Sequence, residues 1–172
     1  TFPIARLDLP LLFDEDLQAK PAYWGLVDPS QLPVLIQKLN VVEGSPRIDG
    51  RRDVVWGSTG ATALDAGEAV SGSFKLLWDE RRLYVTADIA DATSGRNDRV
   101  DVFVDENNGK TTSYEADDAQ YTFERFGFHR HDHGRGHRCR QVRSLVRPRP
   151  GGYRLEAAIP LERTLAVGDE IG

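Results

Sequence analysis

Two short runs of oxygen-bearing side chains are the residues of this chain best suited to chemistry. The first run is residues 105–108 (DENN) and the second is residues 115–118 (EADD). Carboxylate and amide oxygens are the ligands that Ca²⁺ prefers, and it takes about six to eight of them. We expect a structural Ca²⁺ site built from two loops, whose ligands are Asp105, Asn107, Asp117 and Asp118. The alternative is that these acids only end strands and shape turns, as Asp and Asn commonly do.

The first acidic run begins like an EF-hand loop but does not continue as one. The spacing of Asp105, Asn107 and Gly109 fits the start of such a loop. Lys110 then stands where the loop requires glycine, and Ala116 stands where it requires a bidentate acid. The sequence therefore excludes an EF-hand.

All four histidines and the single cysteine lie in residues 126–140 (FGFHRHDHGRGHRCR). Imidazole and thiolate groups suit zinc and other transition metals. The candidate ligands are His129, His131, His133, His137 and Cys139. Because the run has no apolar residue beyond Phe128 to hold ligands in place, we expect adventitious metal binding rather than a selected site. A local reading-frame error in the source sequence would produce the same patch.

The elements that must position these groups are short strands. Residues 83–89, 100–105 and 153–159 alternate apolar and polar side chains, which is typical of strands with one buried face, and residues 74–79 and 120–124 are shorter candidates. Clusters rich in Asp, Asn, Pro and Gly separate them as turns. No long segment has the apolar period of a helix between them. The pattern predicts an all-β fold, an antiparallel β-sandwich.

Composition limits the class of protein further. The chain has 172 residues, 40% of them hydrophobic, and a net charge of −5. This acidic balance argues against a nucleic-acid partner, and no apolar run is long enough to span a membrane. Cys139 has no partner cysteine, so an internal disulfide is excluded.

The first thirty residues differ from the rest. Residues 10–27 read as an apolar segment, a turn and a helix with Pro21 in its first turn. The run PLLFDEDLQAKPAYWGLVDP resembles the C-terminal end of family 10 glycoside hydrolases, which are (β/α)₈ barrels. The resemblance implies that residues 1–30 are a barrel remnant and residues 31–40 a junction. It also implies that the catalytic carboxylates lie upstream, so that Asp14, Glu15 and Asp16 are solvated turn acids.

Residues 41–172 carry a second resemblance. The pattern G-x-P-x-I-D-G…D-x-x-W from Gly44 to Trp56, the run VDVFVDENNGKT…DDAQY, and the segments GYRLEAAIPL and VGDEIG resemble family 9 carbohydrate-binding modules of secreted xylanases. We expect Trp56 to be a core anchor rather than a sugar platform. The resemblance also implies that the chain stops before the last strands of the family pattern.

The resemblance implies a sugar site on the strand at residues 100–105, in altered form. Family members that bind sugar sandwich it between two tryptophans; Gly95 stands at the first position, and the second lies beyond Gly172. Asp101 keeps the carboxylate of the family in shorter form, and Thr122 replaces an arginine. Asp101, Phe103 and Asp105 share one face of their strand. The residues expected to contact sugar are Asp101, Asn97, Gln120 and Lys110.

Two functions follow from the resemblance. The first is a non-catalytic module that binds xylan or cellulose, along the chain or at its ends, for a catalytic barrel in the same secreted endo-1,4-beta-xylanase. The second is a degenerate spacer sandwich without sugar affinity. Haem-binding relatives of this fold are disfavoured because the chain has no Met to serve as axial ligand. Under either function the catalytic residues lie outside this chain.

Overall fold

The computed structural model describes residues 18–20, 23, 27, 28, 38–65, 70–93, 95, 97–111, 113–127, 129–133 and 141–172. The chain divides into two compact units, Thr1–Asn40 and Val41–Gly172. In the first unit the backbone is helical at Tyr23 and Val27. Most of the predicted barrel remnant and junction, with its acids at positions 14–16, lies outside the described residues. Within the described part of the chain, no helix has the length and apolar character needed to cross a membrane.

The second unit is built from strands. Its described residues form nine strands and one short 3₁₀ helix at Val54–Ser58. The strands are β1 Val42–Glu43, β2 Thr62–Asp65, β3 Ser71–Asp79, β4 Arg82–Ala90, β5 Arg99–Asp105, β6 Asp118–Glu124, β7 His129–His133, β8 Arg143–Arg149 and β9 Gly152–Pro160.

The strands form two sheets. The larger sheet has the order β1-β3-β4-β9-β8, with β2 also paired to β3, and the smaller sheet has the order β5-β6-β7. All pairs are antiparallel except β1 with β3. The predicted all-β antiparallel sandwich is confirmed.

The main core lies where the two sheets pack together. Alternate residues of the central strands β4 and β9 face the core, in agreement with the predicted alternation, and they meet the inward side chains of β5 and β6. The buried residues of this cluster on the four strands are Leu83, Val85, Ala87, Val104, Tyr121, Phe123, Leu155, Ala157 and Ile159. This burial of apolar side chains is the main source of stability of such a fold.

The outer face of the larger sheet is also covered, which the alternation did not predict. Trp56 comes from the segment before β2 and packs with Leu77, Tyr84 and Ala158 in a second buried cluster. Tyr84 was expected on an open polar face but is only 5% exposed. Trp56 is 1% exposed, so its expected role as a core anchor is confirmed.

The predicted turns join neighbouring strands. Glu80 and Arg81 connect β3 to β4, and Pro150 and Gly151 connect β8 to β9. Gly151 has φ 72°, which the third position of a type II turn requires.

The histidine run departs from expectation in its first half. Residues 129–133 were not among the predicted strands, but they form β7 and pair with β6. Backbone hydrogen bonding to β6 orders this segment despite its polar composition. The candidate transition-metal ligands of the run lie outside the described side chains.

Candidate functional site

The outer face of the smaller sheet carries a row of polar and aromatic side chains. Val100, Val102 and Val104 pack into the main core, so the alternate residues of β5 point outward. Their partners on β6 point the same way. Four cross-strand pairs therefore line this face, which we call the outer ladder: Arg99–Glu124, Asp101–Thr122, Phe103–Gln120 and Asp105–Asp118.

Asp101 is held firmly within the outer ladder. The hydroxyl of Thr122 donates to its Oδ1 at 2.5 Å, and Nε of Arg99 donates to its Oδ2 at 2.9 Å. Each carboxylate oxygen has two lone-pair sites, so each can accept a further hydrogen bond. Asp101 is therefore oriented to accept bonds from the hydroxyl groups of a ligand.

The predicted sugar contacts do not converge on one point. Gln120 lies one rung from Asp101, across from Phe103. Asn97 is exposed in the turn before β5, whereas Lys110 is exposed in the loop after it. Because a strand rises about 3.3 Å per residue, β5 spans about 20 Å, and these two residues lie beyond its opposite ends. The structure brings together Asp101 and Gln120, while Asn97 and Lys110 flank them.

Two aromatic side chains on the same surface were not predicted as contacts. Phe103 is 60% exposed and Tyr114 is 49% exposed. Both line a groove of about 220 Å³ with Thr111 and Asp118. An outward-facing Phe in an alternating strand was the available sequence signal, but the loop around Tyr114 has no periodicity that would place it.

Gly95 lies in a loop with no room for a larger side chain. A Cβ at this position would lie 2.7 Å from Oδ1 of Asp98. Asp98 cannot easily move, because it accepts hydrogen bonds from the Gly95 N–H at 2.8 Å and from Arg125 at 2.9 Å. The bond from the Gly95 N–H and the Arg125 guanidinium together lower the pKa of Asp98. Gly95 is therefore enclosed by a local hydrogen-bond network of Asp98 and Arg125.

Three of the four predicted metal ligands converge, and the fourth contacts one of them. Carboxylate oxygens of Asp105, Asp117 and Asp118 lie within 4.8 Å of one another. Asn107 joins them, since its backbone N–H donates to Asp117 Oδ2 at 2.9 Å and its amide donates to Asp117 Oδ1 at 3.2 Å. We call these four residues the acidic cluster.

The chemistry of the acidic cluster suits a hard cation. Burial opposes ionisation of Asp105, but the backbone N–H groups of Lys110 and Gly109 outweigh it, so the pKa of Asp105 lies below its ordinary value. Carboxylates this close repel each other unless hydrogen bonds or a cation offset their charge. The cluster could hold a metal ion. Its donors are all oxygen atoms, which hard cations prefer and soft metals do not.

Residues 48–172 match the family model described as carbohydrate family 9 binding domain-like. The chain belongs to this family. It is similar to a carbohydrate binding module family 9 from Caldicellulosiruptor kristjanssonii, solved in complex with cellotriose. The TM-score is 0.71 and the identity 30%, over 77% of this chain and 71% of that one. The same module solved in complex with glucose gives a TM-score of 0.70 at 30% identity, over 77% of this chain and 73% of that one.

Curated relatives are much longer proteins. The chain is 37% identical over 183 residues to endo-1,4-beta-xylanase A of Thermoanaerobacterium saccharolyticum, covering 98% of this chain and 14% of that protein. It is 35% identical over 174 residues to exoglucanase XynX of Acetivibrio thermocellus, covering 98% of this chain and 15% of that protein. The chain thus spans about one seventh of the length of these relatives.

Proposed function

We propose that this chain is a non-catalytic module that binds xylan or cellulose chains on its outer ladder. The observation that carries the proposal is the placement of Asp101 and Gln120 on adjacent rungs beside the exposed ring of Phe103. Carboxylate and amide groups bond the hydroxyls of a sugar, and an aromatic ring covers its apolar face. The binding of cellotriose and glucose by the similar solved module supports this choice of ligand.

The two residues that flank the outer ladder extend the proposed site along β5. Asn97 at one end of β5 and Lys110 at the other suit contacts with successive sugars of an extended chain. Asp101 accepts hydroxyl hydrogen bonds near the middle of the ladder. A polysaccharide lying along the strand would therefore meet polar groups over about 20 Å.

We assign the chain to a secreted, multidomain endo-1,4-beta-xylanase. On this proposal residues 1–30 are the end of a family 10 barrel, 31–40 are a junction and 41–172 are the module. Support comes from the named xylanase that matches 98% of the chain. The module raises the effective concentration of the barrel at the polysaccharide. The catalytic carboxylates belong to the barrel, upstream of this chain.

A spacer without sugar affinity is the second candidate. It is supported by Gly95, which stands where the resemblance implies the first stacking tryptophan, and by the hydrogen bonds that tie Gly95 and Arg125 to Asp98. A module of this kind would keep the sandwich and lose the ligand.

We further propose that the acidic cluster holds a structural Ca²⁺. Asp105, Asp117 and Asp118 would supply carboxylate oxygens, with backbone or water oxygens completing the shell. Asn107 would supply its amide oxygen once the amide group turns over, since its NH2 now faces Asp117. The ion would offset the repulsion between the three carboxylates and stabilise the loops that follow β5 and precede β6.

Affinity electrophoresis through gels containing soluble xylan or a soluble cellulose derivative tests the sugar-binding function. Xylan or the cellulose derivative should retard the chain, and Asp101→Ala should weaken this retention about tenfold, the equivalent of about 1.4 kcal/mol. Glu43→Ala removes the same charge from an exposed residue of β1 and should be retained like the wild type.

Two outcomes would change this assignment. A folded chain that migrates equally in gels with and without polysaccharide would be a spacer. Release of reducing sugar from xylan by this chain would show that catalytic groups lie within it.

A further inference from the structure

The exposed rings of Phe103 and Tyr114 line the same groove. Phe103 lies directly across from Gln120 on β6. The hydroxyl of Tyr114 donates to Oε1 of Gln120 at 3.4 Å. Gln120 therefore ties the loop carrying Tyr114 to the strand pair carrying Phe103.

A role in packing the main core does not explain why these rings are present. The neighbours of Phe103 along β5, Val102 and Val104, pack into the main core, so the ring itself adds nothing to that core. Single exposed apolar side chains are common on protein surfaces, but exposed apolar groups that lie together mark a ligand or partner site. Here two of them border the same groove of about 220 Å³.

From this arrangement we infer that Phe103 and Tyr114 form an aromatic platform on which one neutral pyranose ring of the polysaccharide stacks. The inference rests on the proposed sugar-binding function and assigns the stacking role that Gly95 cannot perform. The C–H face of the sugar lies on the rings, and Gln120 bonds its hydroxyls.

Charge selects the class of sugar. The carboxylates of Asp105 and Asp118 border the groove, and the whole chain carries a net charge of −5. A uronic acid would find no cationic partner there, since the described residues that line the groove include no Lys or Arg. The occupant is therefore an unsubstituted xylose or glucose unit of a β-linked chain.

Calorimetric titration with xylohexaose and cellohexaose tests the platform. Phe103→Ala should lower the affinity for the preferred oligosaccharide about tenfold, or about 1.4 kcal/mol. Phe103→Leu keeps the apolar bulk without the flat ring and should lose affinity similarly. Tyr114→Ala should weaken binding, whereas Tyr114→Phe should retain most of it because the ring remains.

Phe126→Ala is the matched control. Phe126 is 62% exposed, close to the 60% of Phe103, but it follows the opposite end of β6. This variant should bind like the wild type. The variants replace exposed side chains, so each should keep the thermal unfolding midpoint of the wild type.

The outcomes separate the platform from the general function. If the wild type binds and Phe103→Ala or Phe103→Leu binds equally well, the platform is wrong and the sugar site lies elsewhere. Binding by the wild type that Phe126→Ala weakens as much as Phe103→Ala would also overturn it. A wild type that binds neither oligosaccharide overturns both the platform and the proposed function.

Discussion

Glu156 is a buried acid outside the sugar surface. It lies on the outer face of β9 and is 1% exposed. Its Oε2 accepts a hydrogen bond from the Gly50 N–H at 2.8 Å, and within the described residues its Oε1 has no hydrogen-bond partner. Burial raises the pKa of Glu156, against the opposing effects of the Gly50 N–H and of Arg154.

This environment predicts a pH-dependent effect of Glu156→Gln. The folded-state pKa lies above the ordinary value of 4.5, so the folded state binds more protons between the two values, and stability falls as pH rises through that window. The variant cannot ionise. The free energy of unfolding of Glu156→Gln, relative to that of the wild type, should therefore increase by about 1 kcal/mol towards neutral pH.

Urea unfolding at a series of pH values from 4 to 7.5 measures this difference. Glu43→Gln, an exposed glutamate on β1, is the control and should show no such trend. A difference between Glu156→Gln and the wild type that stays constant across the series would contradict the prediction.

Residue by residue, the candidate site was only partly predictable. Alternation alone placed Asp101 on an outward face. Asp105 lies across from Asp118 because of the register in which β5 pairs with β6. The spacing of residues in the sequence does not determine that register. Tyr114 was missed because a loop has no period from which its direction can be read.

At the scale of elements, the predictable strands are those with one buried face. β4, β5 and β9 pack against the main core and alternate clearly. β8 lies at a sheet edge and contains three arginines and a proline, so it has little apolar signal. Charged residues and proline on an edge strand prevent pairing with other chains, which explains why such a strand has no alternation.

The pairing of β4 with β9 predicts a severe effect of Gly152→Ala. A Cβ at Gly152 would lie 1.9 Å from the carbonyl oxygen of Ile89 on the neighbouring strand. The strands would have to separate locally, which should cost about 2 kcal/mol or more of the free energy of unfolding. Chemical unfolding followed by circular dichroism measures this loss.

Gly57→Ala is the control for this substitution. A Cβ at Gly57 would have nothing within 4 Å, so this variant should stay within about 0.5 kcal/mol of the wild type. Equal stability of the two variants would show that the β4–β9 pair adjusts without cost.

At the scale of the molecule, the two sheets were predicted but the cover on the larger one was not. The segment that carries Trp56 has no period of its own, so only its packed position shows that it closes the outer face of β3, β4 and β9. On the smaller sheet the outer ladder is open at Phe103, whereas Thr122 is buried. The two outer faces of the sandwich therefore differ in how far they are covered.

The proposed Ca²⁺ predicts a change in the stability of the whole module. A cation that binds only the folded state raises the unfolding temperature with its concentration. Scanning calorimetry in excess Ca²⁺ should give a midpoint several degrees above that in EDTA. Asp118→Asn should remove most of this increment.

Asp169→Asn changes an aspartate outside the acidic cluster and should keep the full increment between Ca²⁺ and EDTA. The midpoint of each variant in Ca²⁺ is compared with the midpoint of the same variant in EDTA. Differences in basal stability between variants therefore do not affect the increment. A wild type with the same midpoint in both solutions would exclude the structural ion.

The position of Trp56 has a practical consequence for spectroscopy. Trp56 and Trp78 both belong to the packing of the larger sheet, whereas Phe103 and Tyr114 lie on the smaller one. Emission from these two indoles should follow unfolding and respond little to a ligand on the outer ladder. The absorbance of Tyr114 should respond to the ligand instead. Tryptophan emission therefore reports loss of fold, and tyrosine absorbance reports loss of binding.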